Sequence, residues 1–110
     1  MPNWCENDLY VRGSLEEINT FLEFAGKLIP PFVIRPLKRH NSSVFDAKIT
    51  FSTAWAPPIP VIEAMGKKFP GLEFILKYFE GGMGFQGTFV VRDGVVVQNK
   101  NEKYTGHRGG

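Results

Sequence analysis

Gly82 to Gly87, inside the stretch GGMGFQG, spell G-x-G-x-x-G, the spacing with which a loop can wrap a pyrophosphate. That chemistry needs a strand before the glycines and a helix after them, because the helix N-terminus supplies the amides and the dipole that hold the phosphates. Here GTFVVR follows, a run of β-formers leading into a hairpin signal. The glycines are therefore expected to form a turn or bulge, and no cofactor is expected.

The remaining reactive side chains are few. Cys5 is the only cysteine, which excludes an internal disulfide and a zinc thiolate cluster within one chain. It falls on an inward strand position, where a free cysteine is more often a small buried hydrophobe than a nucleophile. His40 and His107 lie in predicted loops with no metal-ligand spacing to another His, Asp or Glu. Glu6 and Asp8 share a strand face about 7 Å apart, an acid and base spacing, but solvated strand carboxylates are commoner. No enzyme is expected.

The segment WCENDLYVR (4–12) alternates, with Cys5, Asn7, Leu9 and Val11 on one face and Trp4, Glu6, Asp8, Tyr10 and Arg12 on the other. Ser14 and Glu17 have capping-box spacing, and Leu15, Ile18, Phe21, Leu22 and Ala25 form a helical stripe that Gly26 should stop. Residues 27–43 hold three prolines and read as an irregular connection with a short edge strand at 32–35. VFDAKITFST (44–53) alternates with Phe45, Ala47, Ile49 and Phe51 inward. Pro60 suits a first helical turn, and a helix burying Ile62, Met65 and Phe69 runs to about Phe69. Strands follow at 72–80 and on both sides of Asp93-Gly94, a hairpin dipeptide.

The order of elements predicts an α+β, ferredoxin-like sandwich: two helices on one face of an antiparallel sheet, with a C-terminal hairpin. One domain is expected over residues 1–98, followed by a loose polar tail over 99–110. No run approaches the roughly 18 apolar residues of a membrane span, and the start has no leader pattern, so the expectation is a cytoplasmic protein without membrane contact.

Net charge is only +2, yet residues 27–43 contribute Lys27, Arg35, Lys38 and Arg39 with no acid. A nucleic-acid interface would draw on Arg35, Lys38, Arg39 and His40 together with Lys103 and Arg108 of the tail. The sheet face itself mixes both signs, and its acids would repel phosphates. Trp4, Tyr10, Trp55, Phe79 and Glu80 are the candidate residues of a docking patch for another protein.

Several separate blocks carry a family resemblance: Met1-Pro2-Asn3-Trp4-Cys5-x-Asn7; Phe51-Ser-Thr-Ala-Trp55-x-Pro57-Pro58-x-Pro60-Val-Ile-Glu63; Lys68-Phe69-Pro70; and Tyr78-Phe79-Glu80-x-Gly82-Met83-Gly84-Phe85-x-Gly87. Together they resemble the ferredoxin-like domain of the YubB family, proteins of plasmids, prophages and pathogenicity islands whose function is not established. The resemblance implies the same fold and a mobile-element setting. It departs in the middle, where only the 27–43 connection stands in place of the family's longer Trp-containing insertion. The expected activity is that of a non-catalytic adaptor or inhibitor that binds a host or element-encoded protein, with nucleic-acid binding as the alternative.

Overall fold

The computed structural model describes residues 4–27, 32–34, 38–39, 41, 43–82 and 84–103. Their elements run β1 (Trp4–Gly13), α1 (Leu15–Ala25), β2 (Val33–Ile34), β3 (Lys38–Arg39), β4 (Phe45–Ala54), α2 (Ile59–Lys68), β5 (Glu73–Glu80), β6 (Phe85–Arg92) and β7 (Val95–Lys103). The strands make one antiparallel sheet in the order β2-β4-β1-β5-β6-β7, with β3 also on β4. The expected α+β architecture is present.

β1 lies at the middle. It pairs β4 from Trp4 opposite Ala54 to Gly13 opposite Phe45, and β5 from Glu6 opposite Phe79 to Arg12 opposite Glu73. Its inward row Cys5, Asn7, Leu9 and Val11 is fully buried, as are Ile49, Phe74, Leu76 and Val91 on the flanking strands. Both helices press on this side. Phe21 of α1 meets Phe69 and Phe74 edge-on, with centroids 5.8 and 5.1 Å away, and Ile62 and Met65 of α2 complete the layer. Leu15, expected in the helical stripe, is instead 40% exposed at the first position of α1.

Local chemistry sets the helix ends. The Ser14 hydroxyl accepts from the Glu17 amide at 3.2 Å and donates to the Glu17 carboxylate at 3.3 Å, which starts α1. Gly26 ends it with φ −58°, so the left-handed cap that a glycine invites is not used; Lys27 N–H tightens onto Phe24 O instead. In α2 the prolines at 58 and 60 occupy the first turn, where a missing N–H costs nothing.

Two expectations shift. Lys38 and Arg39, taken for loop, form a two-residue strand opposite Asp46 and Phe45, while the expected short strand is present as Val33–Ile34 opposite Thr50 and Ile49. The expected tail boundary at 98 also moves, since β7 continues through Asn99 to Lys103. Its polar side chains conceal a regular ladder with β6, and Asn101 Nδ2 donates to the Tyr78 hydroxyl at 3.0 Å across Gly87. The ladder is irregular at one point: Val91 faces Val96 and Val90 faces Gln98, leaving Val97 as the extra residue of a bulge.

The glycine string is a strand-to-strand turn. Gly84 has φ +76°, its N–H bonds to Glu80 O at 3.0 Å, and the chain then enters β6 rather than a helix. Gly87 is required for a different reason, close approach: a Cβ there would collide with the Tyr78 ring and hydroxyl and with the Lys100 carbonyl. Gly84→Ala is thus expected to cost about 1 kcal/mol of backbone strain alone, because its Cβ has open space. Gly87→Ala is expected to cost about 1–3 kcal/mol by overpacking. Urea unfolding midpoints measure both, and a Gly87→Ala protein as stable as wild type would contradict the packing of Tyr78 over β6.

Candidate functional site

The helices cover one face of the sheet, and no described element packs over the other. Alternation places the even residues of β1 on that open face, and register extends each into a cross-strand row. Lys48, Tyr10, Ile75, Val90 and Gln98 form one row, and Thr50, Asp8, Lys77, Thr88 and Lys100 the next. Lys48 Nζ and Lys77 Nζ lie 5.5 and 5.9 Å from the centroid of the Tyr10 ring, one on the neighbouring strand at each side. Tyr10 is half-buried between two cations.

Charge on this face alternates at its far end. Arg12 Nε reaches Asp46 at 2.7 Å and Arg92 reaches Glu73 at 2.6 Å, so positive and negative groups neutralise one another in a line across the sheet. The Asp46 hydrogen bond holds the Arg12 guanidinium even more firmly charged than usual. Asp8 accepts from the Thr50 hydroxyl at 3.0 Å.

At the opposite end the two tryptophans share a corner. Trp4 begins β1 opposite Ala54, and Trp55 follows Ala54 directly; they are 53% and 55% exposed. Trp55 has φ 71°, and Ala56 N–H closes onto Ala54 O at 2.8 Å around it, the arrangement of a classical γ-turn. A bulky residue in that region is strained by on the order of 1–3 kcal/mol. The Thr53 hydroxyl, donating to Ala56 O at 2.6 Å, holds the turn closed.

Beneath the corner, on the helix side, lies a buried polar set that sequence reasoning did not single out. Asn7, fully buried, donates from Nδ2 to Cys5 O at 3.2 Å and to Thr53 Oγ1 at 3.0 Å, while its Oδ1 takes the Cys5 thiol at 3.8 Å. The chain Asn7 to Thr53 to Ala56 therefore ties the core to the strained turn. A signal for it existed in the one amide in an otherwise apolar inward row. Burial, partly offset by the Thr53 hydrogen bond, pushes the Cys5 thiol up to about 11, which leaves it no nucleophile at neutral pH.

Of the residues expected in an aromatic patch, Trp4, Tyr10 and Phe79 share the open face, and Trp55 joins at the corner. Glu80 does not. It is 1% exposed on the helix side, in step with Leu76 and Tyr78, and its carboxylate accepts from Gly82 N–H at 2.7 Å inside the glycine turn. A partner on the surface cannot reach it, so Glu80 is a turn support and not a docking residue.

The basic residues divide. Arg35, His40 and Arg108 lie outside the described residues. Lys38 and Arg39 are exposed on β3, the Arg39 guanidinium 5.5 Å over the Phe45 ring, while Lys103 ends β7 opposite Phe85. Strand spacing and rise put these positions at diagonal corners of the sheet, roughly 30 Å apart, so they do not form one patch. Among the described residues no group of three or more His, Cys, Asp or Glu could hold a metal ion.

The family model described as the ferredoxin-like domain in Api92-like protein matches residues 38–108, more than half of the chain. No curated protein and no solved structure matches it. The chain belongs to that family, and the matched span carries β3 to β7 with α2, including the Trp55 turn.

Two measurements check this geometry. The unfolded Cys5 thiol ionises near 9.0 and the folded one near 11, so between those values the unfolded chain holds fewer protons and stability falls with rising pH, by about 3 kcal/mol in all. Cys5→Ala should flatten that slope, leaving a smaller one from Tyr78, which burial also raises above 10.0. Separately, Trp55→Gly relieves the positive φ and is expected to gain about 0.5–1 kcal/mol, whereas Trp4→Gly in a regular strand loses stability. A Trp55→Gly protein destabilised as much as Trp4→Gly would show that the turn is not strained.

Proposed function

We propose that this member of the family of the ferredoxin-like domain in Api92-like protein is a non-catalytic protein-binding module, an adaptor or inhibitor whose partner docks on the open sheet face and its tryptophan corner. The observation that carries the reading is Trp55: a large aromatic more than half exposed and held in a strained γ-turn beside an equally exposed Trp4. Exposed tryptophans supply the anchors that dominate protein interfaces. Strain retained at a surface residue points to a use for it beyond stability.

Resemblance to the YubB family supports a setting on plasmids, prophages or pathogenicity islands, and so a partner encoded by the host or by the element itself. Interference with a host defence system fits that setting. The cytoplasm is the proposed compartment; no helix among the described residues is long and apolar enough to cross a membrane.

Nucleic-acid binding is the second reading, favoured by the exposure of Lys38 and Arg39 on β3. It requires affinity that weakens steeply with salt and collapses in Lys38→Glu and Arg39→Glu proteins. For the first reading, tagged wild-type, Trp55→Gly, Trp4→Ala and Tyr10→Ala proteins are compared by quantitative mass spectrometry of what each captures from host lysate. The Trp55→Gly protein is expected to be folded and to lose its specific partner, with a binding loss of about 2 kcal/mol or more when the purified partner is titrated. Recovery of identical partners in identical amounts by all four proteins would end the proposal.

A further inference from the structure

The charges of the open face are arranged so that the face complements itself. At the end away from the tryptophans, Lys38, Asp46, Arg12, Glu73 and Arg92 stand side by side on successive strands, and the sign changes at every step. Two rows nearer the tryptophan corner, Asp8 and Lys77 face each other on β1 and β5. Between these rows lies an apolar stretch, with Tyr10 and Ile75 half-buried and Val90 buried.

A sheet whose charge alternates strand by strand repels a copy laid with equivalent strands in contact and attracts one displaced by a single strand. A two-fold axis parallel to the strands produces that displacement when it runs in the gap between two strands. In the gap between β1 and β5 it sets Arg12 over the copy's Glu73, Asp46 over the copy's Arg92, Asp8 over the copy's Lys77 and Tyr10 over the copy's Ile75, each contact made twice. An axis along β1 or β5 itself would stack Arg12 on Arg12 or Glu73 on Glu73. The gap between β1 and β5 is also the middle of the order β2-β4-β1-β5-β6-β7, so the two sheets cover each other fully, whereas the next gap on either side leaves two strands of each uncovered.

We propose that the partner received by the open face is a second copy of the chain, paired face to face about a dyad between β1 and β5. This rests on the protein-binding reading above and takes the element-encoded partner to be the chain itself. Strand spacing and rise make the face roughly 24 Å across and 27 Å long, so the two faces together remove about 1,300 Å² from water, within the roughly 1,200–2,000 Å² of a stable interface. The Arg12 with Asp46 and Arg92 with Glu73 pairs stay formed inside each chain and gain a second opposite charge from the copy. The same axis brings each tryptophan corner, at the ends of β1 and β4, over the copy's glycine turn, at the ends of β5 and β6. Gly81 and Gly82 are exposed there and, lacking Cβ, let a large ring come close to the backbone. A net charge of +2 opposes self-association only weakly.

The full chain is diluted in analytical ultracentrifugation, with backbone amide shifts followed in parallel. Wild type is expected to form a reversible dimer whose dissociation shifts amides of the open face. Lys77→Glu, an exposed change, sets acid against Asp8 twice across the axis and should weaken self-association about tenfold or more; Asp8→Lys does the same with the opposite sign. An equimolar mixture of the two variants restores opposite charges at both contacts and is expected to associate at least as tightly as wild type, a rescue that damage to either fold could not give. A wild-type chain that stays monomeric at its highest soluble concentration, variants that dimerise unchanged, a mixture no tighter than its components, or amide shifts confined to β7 would each overturn the pairing. A monomer whose Trp55→Gly form still loses a captured partner removes the pairing and keeps the protein-binding reading. A monomer whose capture is the same in every variant removes both.

Discussion

The hydrogen bond from Asn7 to Thr53 is the contact on which the arrangement of the sheet turns. Asn7 lies in a buried apolar row, where an amide without partners costs about 1–3 kcal/mol. Cys5 on its own strand meets part of that need, and the cross-strand part is met when β1 and β4 pair with Trp4 opposite Ala54, because that register brings the Thr53 hydroxyl within reach. A slip of one residue would expose the whole inward row and bury Glu6, Asp8 and Arg12. One polar residue thus selects the register, and the register decides that the aromatic side chains of β1 face outward.

The same hydrogen bond has a second outcome at the surface. Thr53 hands its own proton to Ala56, and the closed turn that results holds Trp55 in solvent at positive φ. Core and corner are therefore one system. The family match spans the β4 side of it, with Thr53 and Trp55, while Asn7 and Trp4 lie on the strand that precedes the matched span.

Much of this was legible beforehand, for reasons that differ by element. Period-two alternation marks β1 and β4 because each has one face in the core and one in the open, and Asp93-Gly94 marks its hairpin because both residues take positive φ, 54° and 75°. Short or polar strands escaped: Lys38–Arg39 and Asn99–Lys103 are strands because a neighbour offers its backbone, a fact absent from their own side chains. Glu80 was misplaced although its spacing from Leu76 and Tyr78 put it inward; a carboxylate is expected outside unless something inside accepts it, and here the Gly82 amide does. The γ-turn at Trp55 had no sequence signal, since tryptophan is among the residues least suited to it.

β7 is the outermost described strand on its side of the sheet, nine residues long, with Val95 and Val97 exposed. Such a border is the usual starting point of ribbons and fibres. The extra residue at Val97 breaks the regular spacing of its outward amides and sharpens the local twist, and Lys100 and Lys103 bring charge to the remainder. A second molecule laid along this border would lose step after a few residues. The bulge and the two lysines thereby blunt a long sheet margin against edge-to-edge pairing.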